Sequence, residues 1–243
     1  VLNVSPETEI EYIPHGVDLN IFRKLDKSMI VKLKKDFLGK NYKYVVLCNN
    51  VNIKRKELPS VIDAYAKFYR NLSLTEKETT VLLIHTNSST GSTKLKKLIN
   101  DLYIDVPVFF STDMLTEVHL NYIYNLSDVT LNLASNEGFG LTTLESTATH
   151  TPIIVNQTGG LYDQTNNKHK WCVGVTPKCR FLSSTTNTPY IYTDYCDVDM
   201  VAKKLREFYY NYPSSNKYTE YIIENDYTSN KMCESIETGI ENT

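Results

Sequence analysis

The sequence predicts an α/β protein built on a doubly wound parallel sheet with helices on both faces. Short, almost continuously apolar runs recur along the chain, as strands covered on both faces require. Segments with apolar residues at helical spacing lie between these runs. Such alternation is typical of right-handed βαβ units, whose ligand sites lie at the carboxyl ends of the strands.

The predicted elements follow one another in regular order. Six apolar runs predict strands at residues 44–48, 81–84, 106–110, 129–134, 153–155 and 171–175. Helical spacing between them is carried by Val61, Ile62, Tyr65 and Phe68, by Leu95, Leu98 and Leu102, by Leu120, Ile123 and Tyr124, and by Leu141, Leu144 and Ala148. The Ser-, Thr- and Asn-rich segment 182–189 is predicted to be an exposed loop. An amphipathic helix from Val198 to Phe208 and two helices after Pro213 predict a helical C-terminal tail.

Composition narrows the class of protein. The chain has 243 residues, of which 41% are hydrophobic and 22% charged, enough for a core without disulfides or metal. Lys and Arg number 26 and Asp and Glu 28, so the net charge of −2 provides no field for binding nucleic acid or an anionic membrane. No apolar run approaches the roughly 20 residues of a transmembrane helix.

Cysteine usage, the first residue and the codon bias that the composition implies bear on the cellular compartment, the length of the polypeptide and the source organism. Five scattered cysteines without a C-x-x-C pair predict reduced thiols in a cytoplasmic protein, and neither a disulfide framework nor a zinc site. The chain does not begin with Met, which predicts that it is part of a longer polypeptide, with removal of a leader by processing as the alternative. Frequent Asn, Lys, Ile and Tyr are what an AT-rich genome encodes, in a microbe or a large DNA virus.

A glycine-containing turn after the predicted strand at 129–134 is the first candidate site. Residues 135–145 read SNEGFGLTTLE, with a helix predicted to start near Leu141. Free N–H groups and the positive end of the helix dipole suit a phosphate or another anion. Glu137 lies in the turn and Glu145 one turn into the helix, so two carboxylates border one pocket. The alternative is an ordinary βα loop in which Glu145 only complements the helix dipole.

A second candidate follows the predicted strand at 44–48. Residues 49–56 read NNVNIKRK and place three adjacent cations at the carboxyl end of a strand. That position points them into the same crevice as the Glu137 turn, where cations and N–H donors would converge on a phosphate. A bare charge run is otherwise a solvated loop.

Metal-binding patterns are weak. Asp197-Val198-Asp199 has the form of a metal-binding D-x-D, but it opens an amphipathic helix, where Asp is a favoured N-cap. The five histidines have no metal-ligand spacing. The sequence therefore predicts an N-cap at Asp197 and no metal site.

Together these motifs resemble the donor-binding, C-terminal half of the family-four retaining glycosyltransferases of GT-B fold. The resemblance is carried by residues 12–18 (YIPHGVD) with Phe22, by Arg55-Lys56, and by residues 135–140 (SNEGFG) with Glu145. Residues 126–129 (LSDV), residues 151–155 (TPIIV), Gly159-Gly160 and Val198-Asp199 support it, so that it covers almost the whole chain.

The resemblance implies roles for individual residues. Lys56, with Arg55 beside it, would hold the diphosphate of a nucleotide-sugar, and Glu137 would face the donor sugar as a positioning group. Glu145 would accept hydrogen bonds from the ribose hydroxyls. In the turn, the backbone N–H groups of Gly138, Phe139, Gly140, Leu141 and Thr142 would contact the sugar and the phosphate. In the segment 110–115, Phe110, Ser111 and Met114 would border the base.

Two departures from the family pattern stand out. The family commonly has an Arg a few residues before its Lys, where this chain has Asn50-Val51. The acidic residue after Gly159-Gly160 is usually Glu and here is Asp163. The segment that contains His15 runs beside the interdomain cleft in the family.

The resemblance also implies a domain plan and an activity. Residues 1–25 would be a connector from a missing N-terminal acceptor-binding lobe, residues 26–225 a Rossmann-like donor-binding domain, and residues 226–243 a C-terminal helix. The expected activity is metal-independent, retaining transfer of a hexose from GDP-mannose or a UDP-sugar to a glycan, lipid or other acceptor, with no cofactor. The missing lobe would bind most of the acceptor. The alternative is a non-catalytic nucleotide-sugar-binding or regulatory module, which the Val51 departure favours.

Overall fold

A computed structural model describes residues 10–86, 91–165, 171–185, 188–213, 215 and 217–241. Its centre is a six-stranded sheet in the order β3-β2-β1-β4-β5-β6, in which every neighbouring pair is parallel. The strands are β1 (Tyr44–Asn49), β2 (Thr80–His85), β3 (Val108–Ser111), β4 (Val129–Asn132), β5 (Ile153–Asn156) and β6 (Cys172–Val175). This order confirms the predicted doubly wound, Rossmann-like sheet.

Helices cover both faces of the sheet. They are α1 (Lys27–Leu38), α2 (Leu58–Arg70), α3 (Leu74–Lys77), α4 (Leu95–Leu102), α5 (Glu117–Asn125), α6 (Leu141–Ala148), α7 (Gly160–Thr165), α8 (Val198–Tyr210), α9 (Tyr218–Glu224) and α10 (Ser229–Glu241). A short 3₁₀ helix, Lys54–Lys56, follows β1. The order of the strands reverses between β1 and β4, and in such sheets the crevice at that switch point is the usual ligand site.

Two hydrophobic cores lie on opposite faces, and β1 contributes to both. Val46 and Cys48 pack in the core that α2 and α8 cover, whereas Val45 and Leu47 pack in the core that α5, α6 and α9 cover. All four side chains are fully buried. This two-sided burial explains why the strand sequences are continuously apolar, and each buried Val or Leu side chain contributes about 1.5–3 kcal/mol relative to exposure.

The predicted loop at 182–189 is wrong. Residues 182–185 and 188–189 lie in an antiparallel hairpin of β7 (Cys179–Thr185) and β8 (Thr188–Tyr195), and residues 186–187 are outside the described part. Polar composition suggested a loop, but an antiparallel strand with one face in solvent accommodates polar residues, and Thr is itself enriched in strands. Phe181 stacks on Tyr195 at 5.1 Å between ring centroids, which ties the two strands together.

Element bounds also differ from the predictions in detail. β3 begins at Val108, after Pro107, because proline lacks the N–H that a ladder requires. β4 ends at Asn132 and β6 begins at Cys172, although the flanking predicted residues Leu133, Ala134 and Trp171 are buried. The late helices form as α8, α9 and α10. No helix within the described residues is both long and apolar enough to cross a membrane.

The described part of the N-terminal segment, residues 10–25, is irregular apart from one β-bridge and one turn, and it lies against the domain. Val17 forms a parallel bridge with Thr228, with its N–H donated to the Tyr227 carbonyl at 2.9 Å. A Cβ on Gly16 would lie 2.2 Å from the Thr228 carbonyl carbon, so only glycine allows this approach. Residues 1–9 of the predicted connector lie outside the described residues.

Candidate functional site

The loops that follow β1 and β4 meet at the switch point of the sheet. These strands are neighbours, so their carboxyl ends place the 3₁₀ helix beside the turn that contains Glu137. The Ser135 N–H donates to the Arg55 carbonyl at 2.8 Å, and the Arg55 guanidinium donates to the Asn136 carbonyl at 3.0 Å. The two predicted candidate segments therefore form one site.

An ion-pair cluster occupies this meeting point. Lys56 Nζ donates a hydrogen bond to Glu137 Oε2, and Arg55 Nη1 lies 3.6 Å from Glu137 Oε1. The side chains of Glu137 and Lys56 are only 9% and 12% exposed, whereas Arg55 is 47% exposed. A nearly buried carboxylate is thus neutralised by two cations, one enclosed and one facing solvent. An anionic ligand that bound these cations would compete with Glu137 for them.

The N-terminus of α6 lies next to this cluster. Gly140 is its N-cap at φ 92°, a left-handed conformation that favours glycine, and Leu141 and Thr142 are the first two residues of the helix. The backbone donors of this first turn add positive potential beside the cations. Gly138 is exposed, with open space where a Cβ would lie, and the Phe139 ring packs between His15 and Tyr227.

Two glycines after β5 pack against the backbone of the turn that contains Glu137. The Gly160 N–H donates to the carbonyls of Glu137 and Gly138, at 3.2 and 3.1 Å. A Cβ on Gly159 would lie 1.9 Å from the Glu137 carbonyl oxygen, and one on Gly160 would lie 2.4 Å from the Gly138 carbonyl oxygen. The position of Glu137 therefore depends on the small size of both residues.

Glu145 lies on α6, one turn beyond the helix start. Its Oε2 accepts a hydrogen bond from Tyr124 at 2.6 Å, and the same hydroxyl accepts from Asn49 Nδ2 at 2.9 Å. The pKa of the Glu145 carboxyl is raised above its ordinary value, mainly by burial. The hydrogen bond from Tyr124 opposes this shift, and the charge of Glu117 adds to it. Sequence reasoning placed Glu145 near the pocket and included Asn49 in the second candidate segment, but it missed Tyr124.

The predicted base-binding segment 110–115, which contains the last two residues of β3 and the loop after it, is divided between two recesses. Met114 is 99% exposed and borders a cleft of about 260 Å³ that Asn49, His85 and Leu115 also line. Ser111 Oγ lies 2.9 Å from His85 Nδ1 at its edge. Phe110 instead lines a separate recess with Asn52 and Lys94. The structure thus brings Met114 to the cleft at Asn49, places Ser111 in contact with the lining residue His85, and separates Phe110 from the cleft.

His85 was also missed by sequence reasoning. It is the last residue of β2, half-buried at the rim of the cleft at Asn49. Burial lowers its pKa, so the imidazole is neutral near pH 7 and can exchange hydrogen bonds with a ligand without adding charge. Its place directly after an apolar strand run is the signal that could have identified it.

The metal-binding alternative at Asp197 is not supported. Asp197 Oδ1 accepts from the N–H groups of Asp199 and Met200, at 3.1 and 3.0 Å, which confirms the predicted N-cap of α8. Within the described ranges no group of three or more His, Cys, Asp or Glu could hold a metal ion.

Asp194 fastens the β7–β8 hairpin to the site. Its carboxylate is almost inaccessible, pairs with Arg180 at 2.6 and 2.8 Å, and accepts from Thr158 Oγ1 at 2.8 Å. Its N–H donates to the Ser135 carbonyl at 2.9 Å, and its carbonyl accepts from Asn156 Nδ2 at 2.7 Å. One hairpin residue therefore holds the loop after β4 against the loop after β5.

We expect Asp194 to make stability depend on pH. The Arg180 hydrogen bonds hold the pKa of its carboxyl below the ordinary value near 3.9. Such a group stabilises the fold above its unfolded pKa, and the contribution is lost as pH falls through the folded pKa. Asp194→Asn should therefore lower the free energy of unfolding most near pH 7 and much less below about pH 4.

Urea denaturation at several pH values measures this difference. The matched control is Asp199→Asn, which removes an exposed carboxylate paired with Lys67 and should change stability little at any pH. An equal loss for Asp194→Asn at pH 7 and pH 3 would contradict an electrostatic role.

Comparisons with known proteins bear on the family of the chain. The family model described as "Glycosyl transferases group 1" matches residues 31–225. The N-acetyl-alpha-D-glucosaminyl L-malate synthase of Bacillus anthracis is 27% identical over 161 residues, 65% of this chain. The chain spans 38% of the length of that relative.

Solved structures share the fold. The C-terminal domain of a glycosyl transferase group 1 family protein from Francisella tularensis has a TM-score of 0.64 at 15% identity, covering 86% of this chain and 97% of that one. Anabaena HepE in complex with UDP-glucose has a TM-score of 0.72 at 16% identity, covering 95% of this chain and 57% of that one. These likenesses show that the Rossmann-like sheet is a lobe of the GT-B type.

Proposed function

The chain belongs to the group 1 glycosyl transferases, and from this premise we propose that it is the donor-binding lobe of a hexosyltransferase. It binds a nucleotide-diphosphate sugar, and a second lobe supplies most of the acceptor site. The observation that carries the proposal is the cluster of Lys56, Arg55 and Glu137 at the switch point, beside the start of α6. Cations and helix N–H groups converge there, as a diphosphate requires.

The cluster suits the charge that develops in sugar transfer. Departure of the nucleotide places negative charge on the β-phosphate, and fixed cations with helix-terminal N–H groups stabilise such charge without a metal. Lys56 and Arg55 take this role, and backbone N–H groups of residues 138–142 contribute to it. Electrostatic groups of this kind are each worth about 10²–10³ in rate.

We propose that Glu137 orients the donor sugar and does not attack it. Its carboxylate is already engaged by two cations and is only 9% exposed, which makes it a poor free nucleophile. Transfer then retains the configuration at the sugar without a covalent enzyme intermediate, as in the family that the chain resembles. Because Glu137 pairs with the diphosphate-binding cations, it also holds Lys56 in place before the donor arrives.

The nucleoside half of the donor fits the cleft at Asn49. Glu145 accepts the ribose hydroxyls, and Ser111 and Met114 border the base. Met114 lines the cleft, and Ser111 contacts the lining residue His85. Anabaena HepE binds UDP-glucose on the same fold, which favours a UDP-sugar, and GDP-mannose is the other donor to test. The reaction belongs in the cytoplasm, where the five cysteines would stay reduced.

A thermal-shift titration tests the proposal on the chain itself. Addition of UDP-glucose, UDP-N-acetylglucosamine or GDP-mannose should raise the melting temperature for the true donor. A ligand at 100 times its dissociation constant adds about 2.7 kcal/mol to the free energy of unfolding. Chelation of divalent cations should leave this shift unchanged if binding is metal-independent.

Two outcomes would contradict the proposal. The first is that no nucleotide or nucleotide-sugar shifts the melting temperature. The second is that a longer polypeptide containing both lobes binds the donor yet transfers no sugar to any acceptor, as a non-catalytic module would.

A further inference from the structure

We propose that Tyr124 is a positioning residue that aims the Glu145 carboxylate at the ribose of the bound nucleotide. This inference rests on the proposed function, because it assigns a second residue to the same nucleoside site. It is carried by a buried hydrogen-bond chain, Asn49–Tyr124–Glu145, that runs from the end of β1 to α6. Tyr124 itself lies on α5 and is buried, so it acts through Glu145 and not on the ligand.

The Tyr124 hydroxyl has one donor role and one acceptor role, and both are filled. It donates to Glu145 Oε2 at 2.6 Å and accepts from Asn49 Nδ2 at 2.9 Å. The side chain is completely inaccessible, and its ring packs edge-on against Phe22 at 6.3 Å between centroids. Packing therefore fixes the hydroxyl, and the hydroxyl in turn fixes one oxygen of the Glu145 carboxylate.

The other carboxylate oxygen is left for a ligand. No residue of the described chain donates a hydrogen bond to Glu145 Oε1, and the Glu145 side chain is partly accessible. A vicinal diol such as the 2′,3′-hydroxyls of ribose donates two hydrogen bonds and suits an acceptor-only carboxylate. A carboxylate held by Tyr124 is oriented before binding, which lowers the entropic cost of engaging the diol.

Asn49 links this chain to the cleft. Asn49 lines the cleft with His85 and Leu115, and its side-chain amide donates to the same Tyr124 hydroxyl that donates to Glu145. The end of β1 is therefore connected to the carboxylate on α6 across the buried α5 tyrosine. The nucleoside site is therefore built from β1, α5 and α6, at the carboxyl ends of the strands.

The experiment replaces Tyr124 by phenylalanine and measures the binding of UDP to the full chain by calorimetry. Tyr124→Phe should raise the dissociation constant for UDP about tenfold, because it removes a hydrogen bond to a charged group. GDP replaces UDP as the probe if the unaltered chain prefers it. Binding of 2′,3′-dideoxy-UDP and of inorganic pyrophosphate should change less than twofold, because neither ligand carries a ribose diol.

Two further variants make the test specific. Tyr122→Phe, the same substitution on the same helix, should leave UDP binding unchanged, because no hydrogen bond to its hydroxyl joins the described residues around Glu145. Glu145→Gln should also weaken UDP binding, and adding Tyr124→Phe to it should cost little more, since the two residues act as a unit.

Distinct results separate the two hypotheses. If the unaltered chain binds UDP or GDP but Tyr124→Phe binds it equally well, or loses dideoxy-UDP and pyrophosphate in the same proportion, the inference is wrong and the proposed function stands. If the unaltered chain binds neither nucleotide, the proposed function fails and this inference fails with it. A melting curve for each variant establishes that it is folded.

Discussion

Lys56→Met is expected to weaken binding of a nucleoside diphosphate by about 10–100-fold. The lysine is nearly enclosed and is hydrogen-bonded to Glu137, so its ammonium is held where a diphosphate would bind. A hydrogen bond to a charged group contributes about 1.5–3 kcal/mol, which corresponds to this range of affinity. Two effects act in the same direction, because Glu137 would also lose its main cation and would repel an incoming phosphate.

The transfer rate should fall further than the affinity. In a polypeptide that contains both lobes, Lys56→Met should lower kcat by about 10²–10³-fold, because the cation stabilises charge that develops only as the nucleotide departs. Calorimetry on the chain and steady-state kinetics on the longer polypeptide measure the two effects separately.

The matched control is Lys54→Met, which removes the same charge from the same 3₁₀ helix. Lys54 is exposed and does not pair with Glu137, so this variant should lose less than about threefold in affinity. Equal losses for Lys54→Met and Lys56→Met would show that the segment acts only through its net charge. That result would contradict the specific placement of Lys56.

Gly159→Ala is expected to lower the free energy of unfolding by about 3 kcal/mol or more. The new Cβ would lie 1.9 Å from the Glu137 carbonyl oxygen, far inside van der Waals contact. Because the neighbour is backbone, no rotation of a side chain relieves the overlap, and overpacking of this kind costs about 1–3 kcal/mol. Gly159 also has φ 50°, where a Cβ adds about 1–2 kcal/mol of strain.

Gly138→Ala provides the comparison. This glycine lies in the turn that contains Glu137, yet no atom lies within 4 Å of the position that a Cβ would take, and its φ is not left-handed. The free energy of unfolding of Gly138→Ala should differ from that of the unaltered chain by less than about 0.5 kcal/mol, as for substitutions at other exposed positions. Urea denaturation measures both variants, and similar losses at the two positions would show that the Gly159 contact with Glu137 does not support the turn.

The sheet could be predicted because its signal is local. Strands such as β1 are buried on both faces, so their residues are apolar without interruption, and helical spacing between them restricts the chain to right-handed βαβ units. The meeting of Arg55 and Lys56 with Glu137 follows from the same arrangement, since both segments leave neighbouring strands at the same edge of the sheet.

The features that were missed depend on side-chain direction and tertiary contacts. Tyr124 has the spacing of a core residue, and only the folded chain aims its hydroxyl at Glu145. Phe110 and Ser111 are consecutive in β3 and so face opposite sides of the sheet, which a prediction for a whole segment cannot separate. The hairpin is held by Asp194, whose partner Ser135 belongs to a loop far away in the sequence.

The anchoring of the hairpin by Asp194 has a consequence for local unfolding. The Asp194 amide donates to the Ser135 carbonyl, two residues before Glu137, so its hydrogen exchanges with solvent only when the hairpin separates from that loop. The exchange rate of this one amide therefore measures the opening of the site in the intact protein. A ligand that holds the Glu137 turn closed would slow that exchange even if it never touches the hairpin.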